Sequence, residues 1–170
     1  QFLDFARVTA ESSNRTDADL NEIVESVVER NASQGRNVTA RTSPLTRMQL
    51  DRMAMQRVVT NLVENALRHG STEVEIETAA SPGRVRLSVL DRGPGIPPED
   101  AERMLQPFTR MNEARSTVGS GLGLAIVDHI ARMHGGKVQL LPREGGGLEA
   151  RIEFELAAAR TAPGSATHAH

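Results

Sequence analysis

Cysteine, tryptophan and tyrosine are all missing from this sequence of 170 residues, and aromatic residues make up only 2% of it. The lack of cysteine excludes a disulfide scaffold and any cysteine-ligated metal, and it fits a cytosolic setting. With so few aromatic side chains, the core must be built from aliphatic ones. No apolar run approaches the roughly 20 residues that a membrane span needs. The formal net charge of −2 gives no basic signal, so we expect no nucleic-acid partner.

The spacing of apolar residues predicts helices that alternate with antiparallel hairpins. Helices are predicted from about Asp19 to Ala32, from a cap at Asp51 to His69, and from Gly121 to His134, with one or two further turns at 99–104. Strands are predicted at 37–42 and 47–50, on both sides of a turn at 81–83, and at 137–141 and 148–156. This order indicates an α+β fold, a two-layer sandwich whose mixed, mainly antiparallel sheet is covered by about three helices.

The helix that ends at His69 carries a polar face beside its apolar stripe. Asn61, Asn65 and Arg68 share that face at positions i, i+4 and i+7, with His69 near its edge. A carboxamide oxygen can ligate Mg²⁺, which prefers oxygen ligands, and a guanidinium group can pair with phosphate. Taken alone, such a face is more often simply solvated, so this helix leaves both interpretations open.

A glycine-containing stretch, Asp91-x-Gly93-x-Gly95, follows a predicted strand directly. The carboxylate is a selective acceptor for an exocyclic amine such as that of adenine, and the glycines let the backbone approach a flat base. The same pattern also makes ordinary turns. A second stretch, Gly119-Ser-Gly121-Leu-Gly123-Leu124, opens a helix, where backbone amides and the positive end of the dipole suit phosphate oxygens. It matches neither the P-loop nor the dinucleotide-binding fingerprint.

In order along the chain, these stretches resemble the ATP-binding domain of bacterial sensor histidine kinases, within the superfamily that includes gyrase and MutL. Asn61-x-x-x-Asn65-Ala-x-Arg68-His69 resembles the N box, Asp91-x-Gly93-x-Gly95 the first glycine box, Pro107-Phe108 the F box and Gly119 to Leu124 the second glycine box. The resemblance covers roughly 19–156 and is greatest to osmolarity-sensing inner-membrane kinases. It implies the Bergerat ATP-binding fold, with ATP and Mg²⁺ as cofactors.

The resemblance also implies a role for each matching residue. Asn65 would ligate Mg²⁺ with help from Asn61, and Asp91 would accept from the adenine amine. Arg110 or Arg115 would reach the γ-phosphate from a lid at 92–120 that Phe108 anchors. The implied cofactor-binding residues are Asn61, Asn65, Arg68, His69, Asp91, Gly93, Gly95, Ile96, Phe108, Gly119, Gly121, Leu122, Gly123 and Leu124; the implied catalytic residues are Asn61, Arg68, Arg110 and Arg115.

One position separates two classes of enzyme. ATPases of the superfamily carry a water-activating glutamate four residues before the metal-binding asparagine, and here that position is Asn61, which cannot take a proton near neutral pH. Glu64 lies about 100° round the helix from Asn65 and cannot replace it. Hydrolysis is therefore expected to be poor, whereas transfer to a histidine needs no such base.

The predicted organisation is the end of a dimerisation helix and a linker at 1–16, the catalytic domain at 17–156 and a disordered tail at 157–170. The expected partners are the parent's phosphoacceptor hairpin and a response regulator. The fragment is expected to be monomeric, and its parent a homodimeric inner-membrane protein with this domain in the cytoplasm. The alternative is a nucleotide-sensing interaction module, in which ATP closes the lid without any chemistry.

Overall fold

A computed structural model describes residues 14–69, 72–110 and 121–156 of the protein. One layer of the fold is a five-stranded sheet. The strands in chain order are β1 (Thr16–Ala18), β2 (Val38–Arg41), β3 (Met48–Leu50), β4 (Val74–Ser81), β5 (Arg84–Leu90), β6 (Gly136–Pro142) and β7 (Leu148–Glu155). The sheet has the order β2-β4-β5-β7-β6, and only its β2–β4 pair is parallel. The sheet is therefore mixed and mainly antiparallel, which confirms the predicted fold class.

The other layer consists of helices. They are α1 (Leu20–Ser33), α2 (Arg52–Arg68), α3 (Ala101–Met104) and α4 (Gly123–Met133), and a 3₁₀ turn at Pro98–Asp100 leads into α3. Three of them, α1, α2 and α4, are long and pack against one another and the sheet, while α3 is a single turn. No helix within the described ranges is both long and apolar enough to cross a membrane.

Local periodicity explains how these elements meet. In β4 the side chains of Val74, Ile76 and Thr78 are buried and those between them are partly exposed, so one face of the sheet packs against the helices. Helix α2 buries the stripe that faces this sheet, namely Met55, Val58, Val59, Leu62, Val63 and Ala66. The core is aliphatic as expected, and Phe154 is the one aromatic residue buried in the described part of the chain.

The first turn of α1 is fixed by contacts within and beyond the helix. Asp19 is the N-cap, and its carboxylate accepts from the N–H of Asn21. The carboxylate of Glu22 pairs with Arg52 at 2.9 Å and so ties α1 to the first residue of α2.

The sequence did not predict β1, and Thr16 belongs to this strand rather than to a linker. It pairs antiparallel with β3, and its buried Ala18 lies opposite Met48. The two strands predicted on either side of Ser43-Pro44 do not pair with each other, since β2 joins the main sheet and β3 joins β1. The predicted dimerisation-helix end and disordered tail lie outside the described residues, so the proposed domain boundaries stay predictions.

Candidate functional site

The polar face of α2 is turned away from the core. The side chains of Asn61 and Asn65 are partly exposed, and Arg68 and His69 at the end of the helix are exposed. Asp51 fixes the first turn by accepting from the N–H of Ala54 at 3.0 Å. The buried stripe holds the rest, so α2 presents two carboxamides and a guanidinium group toward solvent from a rigid support.

The second glycine box meets this face at the start of α4. A Cβ atom placed on Gly123 would lie 3.9 Å from the Oδ1 atom of Asn61. Leu122 and Leu124, on either side, are buried and hold the helix N-terminus in the core. The first N–H groups of an α-helix have no acceptor within the helix, and they carry its positive partial charge. Donors for an anion therefore lie beside the Asn61 carboxamide. The helix begins at Gly123 rather than at Gly121 as predicted, because Gly121 adopts φ of +70°.

The F box contacts the second glycine box through backbone. The Phe108 N–H donates to the Gly121 carbonyl at 3.0 Å, and a Cβ on Gly121 would lie 3.0 Å from the Phe108 carbonyl carbon. Phe108 has φ of +64°, which few residues other than glycine adopt, and its side chain is 63% exposed. The ring therefore does not occupy the core here, and its anchoring role stays a prediction.

Asp91 is a buried carboxylate directly after β5, with 4% of its surface exposed. Its Oδ1 atom accepts from the N–H of Gly93 at 2.8 Å and from the N–H of Leu148 at 3.2 Å. Within the part of the chain that the structure describes, no group donates to Oδ2. One oxygen is thus fixed by the protein, and the other remains available as an acceptor.

The first glycine box lies against the end of α2. A Cβ on Gly93 would lie 3.0 Å from the His69 carbonyl oxygen and 3.2 Å from Asp91 Oδ1, so the strand end and the helix end meet here without side-chain bulk. Gly95 adopts φ of +75°, and Ile96 packs partly buried against the core. The structure therefore brings the N box together with both glycine boxes.

Two of the predicted site residues, Arg115 and Gly119, lie outside the described residues. Arg110 is exposed at the end of its described range, and its contact with a phosphate stays a prediction. The assigned roles of all the site residues are likewise proposals at this point.

The turn between β6 and β7 is a part of the site that the sequence did not predict. Arg143 donates to the Asp91 carbonyl oxygen at 3.3 Å, and a Cβ on Gly147 would lie only 2.1 Å from that same oxygen. The three consecutive glycines at 145–147 predict a turn, but no local pattern indicates that the turn packs against a residue more than 50 positions earlier.

The negatively charged partner of Arg143 beside this turn is Glu75 on β4. Burial alone would raise the pKa of Glu75, but hydrogen bonding from Arg41 and the positive charges of Arg41 and Arg143 outweigh it and hold the pKa below its ordinary value. Its neighbour Glu77 has a raised pKa, because of burial and the nearby Glu75. Glu75 is therefore the ionised partner available to Arg143.

This fold and these motifs define a class of protein. Residues 50–158 match the family described as "Histidine kinase-, DNA gyrase B-, and HSP90-like ATPase". The chain belongs to this family. The resemblance that the N box and glycine boxes indicated is thereby confirmed.

The similar proteins within this class are sensor kinases. The sensor protein CutS of Streptomyces coelicolor is 39% identical over 107 residues, which are 60% of this chain and 26% of CutS. The NMR structure of the histidine kinase domain of the Escherichia coli osmosensor EnvZ matches with a TM-score of 0.68 and 32% identity, over 94% of this chain and 99% of that one. Full-length ShkA in complex with AMPPNP matches with a TM-score of 0.72 and 30% identity, over 93% and 35%. The chain therefore spans about a quarter of the length of CutS.

Proposed function

We propose that this chain is the ATP-binding catalytic domain of a two-component sensor histidine kinase. It transfers the γ-phosphoryl group of Mg-ATP to a histidine on a separate helical hairpin, from which a response-regulator aspartate receives it. The convergence of three motifs is the observation that supports this most strongly. Asn61 lies beside Gly123, and Gly93 lies between Asp91 and the end of α2.

Asp91 is the residue that we assign to adenine. Its Oδ1 atom is occupied by two backbone donors, so Oδ2 accepts from the 6-amino group of the base. Guanine carries a carbonyl oxygen at that position, which would face the carboxylate acceptor to acceptor. The site therefore prefers adenine nucleotides to guanine nucleotides.

The first turn of α4 and Arg68 are assigned to the phosphates. The N–H groups of Gly121, Leu122 and Gly123 supply donors at a helix N-terminus, where negative charge is favoured. Arg68 is exposed on the same face of α2 as Asn61 and Asn65, and its planar fork suits phosphate oxygens.

The carboxamides of Asn61 and Asn65 fit a magnesium ion by their donor chemistry. They offer neutral oxygen ligands one helical turn apart on a partly exposed face, and Mg²⁺ keeps waters and phosphate oxygens as its other ligands. When bound, the ion offsets the negative charge of the phosphate oxygens. Asn65 is the residue that we assign as its protein ligand, with Asn61 assisting.

The transfer itself requires positioning more than proton removal. A ring nitrogen of the acceptor histidine forms a bond to the γ-phosphorus while the bond to the β–γ bridging oxygen breaks, and ADP leaves with that electron pair. A neutral imidazole nitrogen is already a nucleophile, so Asn61, which cannot take a proton, is no obstacle. The chain contributes by holding the phosphates in one orientation.

The acceptor is expected on the parent's hairpin, because no histidine here has the usual acceptor context. Such a histidine is typically followed by an acidic residue, whereas His69 and His134 are followed by glycine, His129 by isoleucine and His168 by alanine, and His170 is the last residue of the sequence. The parent is proposed to be a homodimer in the inner membrane with this domain in the cytoplasm.

Incubation with γ-labelled ATP, with and without the parent's separately purified hairpin, tests this proposal. We expect acid-labile, base-stable phosphate on the hairpin only. The labelling should be slow and concentration-dependent, because proximity normally contributes several kcal/mol to such a transfer. Label on this chain alone would show that the acceptor is misplaced. An unlabelled hairpin that a full-length parent can phosphorylate, with ATP binding intact, would instead favour the nucleotide-sensing module.

A further inference from the structure

The turn between β6 and β7 lies directly against Asp91. Gly147 adopts φ of +108°, and a Cβ there would lie 2.1 Å from the Asp91 carbonyl oxygen and 2.8 Å from its carbonyl carbon. Real side chains do not approach backbone atoms this closely, so no larger residue fits without moving Asp91. The turn and the start of the first glycine box are in backbone contact.

Arg143 holds the other side of this contact. Its guanidinium group donates from Nη1 to the Asp91 carbonyl oxygen at 3.3 Å and pairs from Nη2 with Glu75 Oε2 at 3.4 Å. The side chain is only 13% exposed. Arginine suits this position because one planar group makes two separate contacts in a fixed geometry. Asp91, at the end of β5, is thereby tied to the neighbouring strand β4.

Backbone hydrogen bonds transmit the position of the turn to the Asp91 carboxylate. The Asp91 N–H donates to the Leu148 carbonyl at 3.0 Å, and the Leu148 N–H donates back to Asp91 Oδ1 at 3.2 Å. Arg92, the next residue, donates to the carbonyl oxygens of Glu144 and Gly146 in the same turn. Since Leu148 immediately follows Gly147, a shift of the turn would rotate the carboxylate and redirect Oδ2.

We infer that Arg143 and Gly147 are positioning residues for base recognition, which act through Asp91 without touching the nucleotide. They set the direction of Oδ2 and so determine how strongly the site prefers purines that carry a 6-amino group to purines that lack one. This inference rests on the proposed role of Asp91 in binding adenine.

The test compares two ligands that differ in one group. ADP and purine riboside 5′-diphosphate are titrated into each variant by calorimetry with Mg²⁺, because the second ligand lacks only the 6-amino group. The dissociation constant of purine riboside 5′-diphosphate divided by that of ADP reports on the Asp91 contact. In Arg143→Ala we expect this ratio to fall about three- to tenfold, through weaker ADP binding alone. Arg151→Ala is the matched control, since Arg151 pairs with Glu149 on the same sheet.

Gly147→Ala provides a second perturbation of the same contact, and its ratio should fall at least as far. If Arg143→Ala melts below the assay temperature, Arg143→Lys takes its place, because a lysine cannot make both contacts. An unchanged ratio, or an equal loss of affinity for both ligands, would overturn the inference while leaving the proposed function intact. Absence of discrimination in the unmodified chain would overturn the role of Asp91 itself, and this inference with it.

Discussion

Asn61 and Asn65 give α2 two oxygen donors that carry no charge at any pH near neutrality. A carboxamide can ligate a hard cation or accept from a water, but it cannot remove a proton from that water. Their partial burial on a rigid helix fixes where those oxygens lie. In the proposed function, these two residues would help to hold metal-bound phosphate, and hydrolysis is expected to be poor.

Replacing Asn65 tests the metal assignment. Asn65→Ala removes one oxygen ligand and keeps a good helix former, so α2 should stay folded. We expect magnesium-dependent ATP affinity to fall by about tenfold, which corresponds to about 1.4 kcal/mol, while adenosine binding survives. Titration calorimetry with and without Mg²⁺ measures this. Glu64→Ala, at the exposed neighbouring position, should change neither affinity. A large drop in melting temperature without a selective loss of metal dependence would mean that Asn65 is structural.

His134 makes the stability of the domain depend on pH. Its ring bridges two elements, since Nδ1 donates to the Ile130 carbonyl at 2.8 Å and Nε2 accepts from the Asp51 N–H at 3.1 Å. Burial, aided by the charge of Arg15, lowers its pKa below 6.5, although the Ile130 carbonyl and Asp51 oppose this. Protonation would remove the acceptor that Asp51 uses.

The sign of the effect follows from linkage. Because the folded pKa is lowered, the unfolded chain binds more protons below about pH 6.5, and the free energy of unfolding falls as the pH drops through that value. Urea unfolding at about pH 7.5 and pH 5.5 measures the change, and His134→Gln serves as the non-titrating reference. The unmodified chain should lose more stability on acidification than the variant. An equal loss in both would show that His134 does not carry the effect.

Among the helices and strands, those with a strong local hydrophobic pattern were predicted correctly. The stripe of α2 and the alternation of β4 could be read from the sequence, because one buried face sets each period. Strand β1 could not, since it has three residues and only Ala18 is apolar. The glycine boxes were predicted as motifs, but the contact of Gly147 with Asp91 was not. That contact joins distant segments, and sheet topology alone determines it.

The segment from Arg92 to Arg110 is expected to respond to nucleotide. Most of its side chains are exposed, and Met104 is its one large residue that is buried. Elements with few buried contacts open most readily. Amide hydrogen exchange across 92–110 should slow on addition of an ATP analogue with Mg²⁺, whereas exchange in β5 and β7 should not change. Unchanged exchange in this segment at saturating ligand would argue against a lid.

Across the molecule, α2 and α4 run antiparallel and contact each other at two places. Asn61 lies beside Gly123 at the start of α4, while the Asp51 N–H donates to His134 at the end of α4. The N-terminal segment also contacts that other end, since the Asn14 N–H donates to Asp51 Oδ2. At 1.5 Å rise per residue, this junction lies about 20 Å along α2 from Asn65. The contact of Asn14 and the proposed nucleotide site are therefore well separated along α2.

The converging motifs are proposed to form one adenine-nucleotide site. Titration of Mg-ADP and Mg-GDP into the unmodified chain and into Asp91→Asn tests this proposal. The asparagine oxygen can replace Oδ1 for Gly93 and Leu148, which turns its amide toward the base, donor against donor. We predict that ADP binds more tightly than GDP. Asp91→Asn should lose ADP affinity by about five- to a hundredfold, and the control Asp128→Asn on α4 should retain it. Equal affinity for ADP and GDP, or undiminished ADP binding in Asp91→Asn, would show that Asp91 does not recognise adenine.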